Sequence, residues 1–412
     1  MIERPAGASR TPSGPLAGVA VVELAGLVAA PFCAKLLADL GADVIKVEPP
    51  QGDPARRRGP FPQDLPHQEK SGLFLYLNTN KRGITLDPGL PSGRELLGRL
   101  MERADLFITD LTRRPARRLA LDPARARKEH PALIAAYLTP WGLSGPYADV
   151  PGYDLNVWHA SGLGYITREQ HPGQPPGPPV RCGNPQADYA LGLTGAVAAL
   201  TALYYRNLTG RGQALDVSGL EALAFMPMAP LAFPQLDGRV VGRGTEARYP
   251  GGLLSCQDGQ VLFGLVEEHQ FQHFFELMGM PAWAQGGWWQ DRQARLDNAE
   301  FLTQEIGAWL SARRKADVIR EAQARRVPIA APFTSADLFA DEHLQARGFF
   351  VQADHPVAGP LSYPSTGLRS NGPGWSLRRP APLLGQHNEE VYEGLLELTR
   401  RELTGLREAG VV

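Results

Sequence analysis

Cysteine is scarce. The three in 412 residues, Cys33, Cys182 and Cys256, stand far apart with neither CxxC nor Cys/His ligand spacing, which indicates neither a disulfide framework nor a zinc site and leads us to expect a reducing cytoplasm. Neither sign of charge is in excess. Lys and Arg total 42 against 43 Asp and Glu, a formal net charge of -1, so no global field favours nucleic acid or a membrane surface, and any basic site must be local. Long hydrophobic runs are missing too: Leu191 to Tyr205 is interrupted by Thr194 and Thr201 and falls short of the roughly 20 residues that cross a bilayer. The segment 1–14 is polar, with Pro and Gly but no apolar signal-peptide core, and reads as a flexible tail of a soluble protein. There is no GxGxxG, no lysine-bearing phosphate loop and no GxSxG, which argues against a nicotinamide enzyme and against a serine hydrolase. No cysteine lies in a reactive pattern, and no internal repeat or heptad is visible.

What is present is a core and an alternating pattern. With 43% apolar and 21% charged residues, the chain can bury two or three domains. GVAVVEL (18–24) is short and β-branched, as expected of a strand buried on both faces of a parallel sheet. A helix with Phe32, Leu36, Leu37 and Leu40 on one face follows and stops at Gly41, and DVIKVE (43–48) is the next strand. GITLD (83–87), a helix over 92–103, DLFITD (105–110) and ALIAAYL (132–138) continue the alternation, predicting a doubly wound α/β domain. After the Pro- and Gly-rich HPGQPPGPP (171–179), a helix beginning near Asp188 carries Gly192, Gly195, Ala196 and Ala199, small residues suited to close packing, and ends at TGRGQ (209–213). The expected organisation is a tail over 1–14, a large domain over 15–225, a small domain over 226–327 and a return to the large domain over 328–412.

Several polar groups bear on chemistry. GLVAAP (26–31) lies between the first strand and helix, where strand ends face ligands. Arg56 to Arg58 and the pair Arg117 and Arg118 follow strand ends on that same rim, where guanidinium groups suit a phosphorylated ligand. Asp188 precedes an apolar helix, and position alone favours an N-cap; the same place would keep a carboxylate ionised through the helix dipole, as an Asp nucleophile requires. Asp154, beside Tyr153 on a turn entering another helix, reads as a second cap. His159 reads as structural.

Five segments in order, PLAGVAVVELAGLVAAPFCAKLLADLGADVIKVEPPQGDPAR, NKRGITLD, GYDLNVWHASGLG, LTGRGQALDVS and PAPLLGQHNEEV, resemble the family III CoA-transferases, which include formyl-CoA and carnitine CoA-transferases and the related α-methylacyl-CoA racemases. The resemblance runs from about Leu16 to Val391. It implies a large Rossmann-like domain built from both chain ends, a smaller inserted α+β domain and an interlocked homodimer, with CoA near the strand ends. Aligning TGRGQ places Asp188 on the nucleophile, which attacks an acyl-CoA thioester to give an aspartyl anhydride and then an aspartyl-CoA thioester; a carboxylic acid is the acceptor. CoA is a substrate, and no metal or tightly bound cofactor is implied. The resemblance places Gly26, Leu27, Val28 and Ala29 beside the pantetheine, Leu86 on the adenine side and Arg118 near the nucleotide phosphates. Asp110 and Leu111 fall in the CoA-contact segment where the family often has Asn and an aromatic or basic residue, and Tyr153 and Asp154 line the active site. The racemases have GHD where this chain has GYD, which keeps racemase as the alternative enzyme. An acyl-CoA-binding homologue without turnover is the non-enzymatic alternative. The glycine-rich lid of formyl-CoA transferases has no clear counterpart, since GRGTEARYPGG has Gly242 and Gly244 only upstream of Arg248.

Overall fold

Glu23 and Lys46 sit side by side in the centre of a sheet, in register on neighbouring strands β1 (Ala20–Leu24) and β2 (Asp43–Glu48). The computed structural model describes residues 14–167, 177–226, 228–240 and 250–412. The chain divides into two compact units. Of the described residues, one comprises 14–164, 181–226, 228–231 and 346–412; the other comprises 165–167, 177–180, 232–240 and 250–345.

The larger unit is built on six parallel strands in the order β3-β2-β1-β4-β5-β6, where β3 is Arg82–Thr85, β4 Leu106–Thr109, β5 Ile134–Thr139 and β6 Ala214–Ser218. Helices α1 (Ala29–Asp39), α2 (Gly72–Leu77), α3 (Pro91–Glu102), α4 (Arg113–Arg118), α5 (Pro123–Glu129), α6 (Asp154–Ala160), α7 (Leu163–Ile166) and α8 (Gln186–Thr209) lie between the strands. The α/β architecture expected from the alternation is therefore present, with each of β1 to β5 within two residues of its expected span. The strands are nearly continuous Val, Ile, Leu and Ala because apolar cores cover both faces: Val22, Ile45, Val47, Ile84 and Phe107 on one side, Val21, Val44, Ile108 and Ala136 on the other.

Helix α8 packs on α1 and β5. The packing depends on the small residues: a Cβ on Gly192 would fall 2.5 Å from the Ala29 carbonyl oxygen, and Ala196 and Ala199 are buried. Among the described residues α8 is the one helix long and apolar enough to cross a membrane by length and composition, and half of it faces this protein core. At its end, Gly212 leaves no room for a side chain, since a Cβ would meet the Leu133 carbonyl oxygen at 2.1 Å; TGRGQ is the turn that delivers the chain into β6.

After α9 (Gly219–Ala224) and α10 (Met228–Leu236), the smaller unit forms an antiparallel sheet of β7 (Gly251–Cys256), β8 (Gly259–Gly264) and β9 (Ile329–Ala330). Helices α11 (Glu268–Leu277), α12 (Arg292–Asp297), α13 (Ala299–Ser311), α14 (Lys315–Ala324), α15 (Ser335–Ala340) and α16 (Glu342–Ala346) accompany it. Its core is aromatic, around Phe263, Phe271, Phe274, Phe275 and Trp289. The return to the larger unit comes at 346 rather than at the expected 328, because Ile329 pairs with Phe263 and keeps β9 in this sheet.

The returning chain forms the hairpin β10 (Phe350–His355) and β11 (Gly359–Pro364), then a helical turn over Glu390–Leu395 and α17 (Arg400–Glu408). Its PAPLLGQHNEEV segment covers the sheet edge. The Gly83 amide donates to His387 Nδ1 at 3.0 Å, the Thr85 amide to Asn388 Oδ1 at 2.9 Å, and the Tyr392 hydroxyl to the Thr85 carbonyl at 2.6 Å. An otherwise open edge of β3 is thereby satisfied.

Candidate active site

Asp188 occupies the first turn of α8, whose N-cap position is Pro185 with no capping side chain. The exposed amides of Ala187 and Asp188 are taken by Asp154 Oδ1, at 2.8 and 3.3 Å. Asp154 is the first residue of α6, so it caps a helix 34 positions downstream. The capping role that position suggests for Asp188 thus belongs to Asp154, and the Asp188 carboxylate has no hydrogen bond or ion pair among the described residues. Tyr189 fixes the turn by packing edge-on against Phe32, with ring centroids 4.9 Å apart.

Asp188 is not held ionised by the helix terminus, contrary to expectation. Burial pushes its pKa up, the carboxylates of Asp154 and Asp110 add to this, and only Arg58 opposes them, leaving it at about 7. The magnitudes explain the outcome, since a helix terminus contributes about 0.3–1 kcal/mol whereas desolvation and like charges move a carboxylate by several pKa units. Asp154→Asn is a direct check. The amide oxygen still accepts from residues 187 and 188, while the negative charge is removed. The acid limb of kcat/KM, expected near pH 7 in the parent, should move down by about one unit; an unmoved limb in a pH series would show that Asp154 does not set the Asp188 charge.

A pocket of about 220 Å³ opens at the carboxyl ends of β1 to β4, lined by Gly26, Asp53, Leu86, Pro88, Asp110 and Leu111 among others. Four of the eight residues expected at CoA therefore line this pocket: Gly26, Leu86, Asp110 and Leu111. The other four stand differently. Leu27 is half-buried with φ +60°, Val28 is buried at the α1 N-cap, Ala29 opens α1, and Arg118 is exposed in the last turn of α4. Tyr153 is two-thirds exposed. His159 packs on Gly164, where a Cβ would meet its Nδ1 at 2.2 Å, in keeping with a structural role. A larger groove of about 320 Å³ between α3 and α5 shares none of these residues.

The loop at 26–27 is held by carboxylates. Asp110 Oδ2 accepts from the Gly26 amide and Asp53 Oδ1 from the Leu27 amide, both at 3.0 Å, offsetting a backbone conformation that costs a non-glycine residue about 1 kcal/mol. These amides are thus already engaged and are not free to cradle a phosphate. Burial raises the Asp110 pKa to about 6, against the Gly26 amide. Asp53 in turn meets Lys46 Nζ at 2.8 Å; Lys46 also meets Glu23 at 2.9 Å, and Glu23 meets Lys81 at 2.7 Å, all fully buried. Sequence reasoning missed this chain, although a Glu and a Lys inside the apolar strands VVEL and VIKVE signal a buried pair.

The arginine run divides. Arg56 is buried, bidentate on Glu48 at 2.6 and 2.8 Å, paired with Glu69 at 2.6 Å and stacked over Phe74, so it is not available to a phosphate. Arg57 and Arg58 are exposed. Arg113 is engaged by Asp149, while Arg117 and Arg118 face solvent. The segment 241–249, with Gly242, Gly244 and Arg248, lies outside the described residues, as do 171–176 of the Pro-rich loop. Among the described residues no cluster of His, Cys, Asp and Glu is placed to hold a metal ion.

A sheet in this strand order, with polar groups gathered outside its carboxyl ends, is the architecture of α/β enzymes whose ligands sit in that crevice. The chain belongs to CoA-transferase family III, which it matches over residues 16–388. It is 30% identical to a succinyl-CoA–L-malate CoA-transferase beta subunit of Chloroflexus aurantiacus, over 97% of this chain and 98% of that one. It is 31% identical to a succinate–glutarate CoA-transferase of Agrobacterium fabrum, over 94% and 97%. Among solved structures it is similar to a CAIB/BAIF family protein from Brucella suis, with TM-score 0.81 and 30% identity, covering 93% of this chain and 100% of that one. The protein is an enzyme of the CoA-transferase class, and CoA thioesters are its class of substrate.

Proposed function

We propose that the enzyme moves CoA from an acyl-CoA to a carboxylic acid through covalent intermediates on Asp188. The observation that carries this reading is the Asp188 carboxylate at the mouth of α8, relieved of capping by Asp154 and within electrostatic reach of Asp110 on the strand-end pocket. The ionised carboxylate attacks the thioester carbonyl, expelling CoA thiolate and forming an acyl-aspartyl anhydride. Thiolate then attacks the aspartyl carbonyl, releasing the donor acid and leaving an aspartyl-CoA thioester. The acceptor carboxylate attacks this thioester, expelling thiolate and forming a second anhydride. Thiolate attacks the acceptor carbonyl, yielding the new acyl-CoA and free Asp188. Gly26 to Ala29, Leu86, Asp110, Leu111 and Arg118 are the proposed CoA contacts, and Tyr153 with Asp154 lines the reacting end. The two relatives are named for succinate, malate and glutarate, so dicarboxylates are the proposed donor and acceptor acids.

The test is transfer from succinyl-CoA to a panel of acids, with hydroxylamine trapping and peptide mass spectrometry. A hydroxamate on the peptide containing Asp188 is expected. Stoichiometric CoA binding without adduct or exchange would instead make the chain an acyl-CoA-binding protein. In heavy water a 2-methylacyl-CoA should gain no deuterium at its α-carbon, because Tyr153, with a reference pKa of about 10, is a poor base at neutral pH; wash-in would favour a racemase.

A homodimer is part of the proposal. Leu193, Val197, Tyr204 and Leu208 form one exposed stripe along α8, with exposed Phe225 nearby in sequence, an apolar face suited to a second copy.

A further inference from the structure

Arg58 is an exposed cation on a turn beside the strand-end pocket, with nothing assigned to it. It closes a tight turn, residues 54–57, whose N-cap Asp53 and first residue Pro54 both line the strand-end pocket. Buried groups pin the turn on either side. Arg56 is clamped by Glu48 and Glu69, and the buried Ser71 hydroxyl, with one proton to give, lies within hydrogen-bond distance of the carbonyls of both Ala55 and Arg58. The backbone of Arg58 is thus held while its guanidinium stands in solvent, without an ion pair or hydrogen bond among the described residues. The same Ser71 caps α2, whose Tyr76 ring meets that of Tyr189, the residue after Asp188, with centroids 6.5 Å apart. The turn is thus tied to the start of α8, and Arg58 is the one cation acting at Asp188 against burial and the neighbouring carboxylates. Asp154 and Asp110, the other charged groups acting on Asp188, are both acidic, so this side of the site would repel a doubly charged acid but for Arg58.

We propose that Arg58 is the specificity-determining residue for the acid, binding the distal carboxylate of a dicarboxylate whose proximal carboxylate reacts at Asp188. This rests on the transferase reading above. An acid with one carboxylate spends it on the reaction, since that oxygen attacks the aspartyl-CoA thioester. A second carboxylate on the same molecule meets a planar, permanently charged fork that can hold it by two parallel N–H···O bonds. Because the turn is anchored at Arg56 and Ser71, little ordering is needed when the acid arrives. Between Arg56 and Arg58 the run changes role within two residues: one guanidinium is spent on the fold, the other is left for a ligand.

The experiment compares succinate with butyrate and glutarate with valerate as acceptors, in the full-length enzyme and in Arg58→Ala and Arg58→Lys. Thermal melts confirm that each variant is folded. In Arg58→Ala, kcat/KM for the dicarboxylates should fall about 10- to 100-fold more than for their monocarboxylate counterparts, mainly through KM, the loss expected for a charge-assisted pair. Arg58→Lys should recover part of that selectivity, since it keeps the charge and loses the fork. The acid limb of kcat/KM for the donor should also move to higher pH in Arg58→Ala and stay in Arg58→Lys. If the parent transfers CoA and the dicarboxylate-to-monocarboxylate ratio is unchanged in Arg58→Ala, the role of Arg58 is overturned and the transferase reading stands. If the parent transfers to no acid and no Asp188 adduct is trapped, both are overturned.

Discussion

Asp188→Asn is expected to lower CoA transfer by at least about 10⁴-fold, the scale on which removing a covalent nucleophile acts. The amide has no electron pair basic enough to open a thioester, while its size and backbone are unchanged. Every step of the proposed cycle forms or breaks a bond to this carboxyl group, so no partial route survives. The measurement is steady-state exchange together with hydroxylamine trapping, in which the labelled peptide should vanish. Retention of more than about a tenth of the parent rate would remove Asp188 from the mechanism, since a mere binding residue is worth roughly that factor.

The same substitution should leave the protein more stable above neutral pH. The pKa of Asp188 is raised in the fold to about 7 from an ordinary value of 3.8, so the folded state holds the proton more tightly than the unfolded chain. That contribution is present in full below pH 4 and is lost as pH rises through 7. At pH 8 the parent carries an ionised, desolvated carboxylate among other acids, and the Asn variant does not. The gain should be on the order of 1–2 kcal/mol at pH 8, reduced for partial solvent access, and smaller at pH 5. A variant that lost stability at pH 8 would show that the carboxylate is needed by the fold after all. Greater stability with lost activity is the signature of a functional group strained by its surroundings.

The parallel strands were legible because burial on both faces leaves short, nearly continuous apolar runs, as in ALIAAYL. The turn TGRGQ and the small residues of α8 were legible for a related reason: backbone approaches such as Gly212 on Leu133 tolerate no side chain. Asp188 was reached by position and resemblance together, but its electrostatics were not. The carboxylate that caps its helix lies 34 residues upstream on α6, and no local rule connects the two. Three consecutive arginines look alike in sequence; Glu48 and Glu69 decide that Arg56 is buried while Arg58 is not. The two-residue strand β9 is too short to carry a period, so the chain's return to the larger unit was placed early.

Lys46→Met should destabilise the enzyme by about 3–5 kcal/mol, the cost of removing one partner from a buried ion pair. Lys46 is fully buried and touches Glu23, Asp53 and the Ala25 carbonyl. Burial opposes its charge, yet the Asp53 and Glu23 carboxylates outweigh burial and hold its pKa above the usual lysine value. Without the ammonium, Glu23 keeps Lys81, but Asp53 keeps only the amides of Leu27 and Ala55. The loss therefore concentrates on the residue that fixes the positive φ of Leu27 beside the strand-end pocket. Weaker CoA binding should accompany the lower melting temperature, and the two can be separated. Asp53→Asn retains the oxygen that accepts from both amides while deleting the charge left unpaired. Added to Lys46→Met, it should restore about 1–2 kcal/mol, because a buried neutral amide costs less than a buried carboxylate without its cation. A double variant less stable than Lys46→Met alone, measured by denaturant unfolding, would mean that Asp53 acts through its charge on some group other than Lys46.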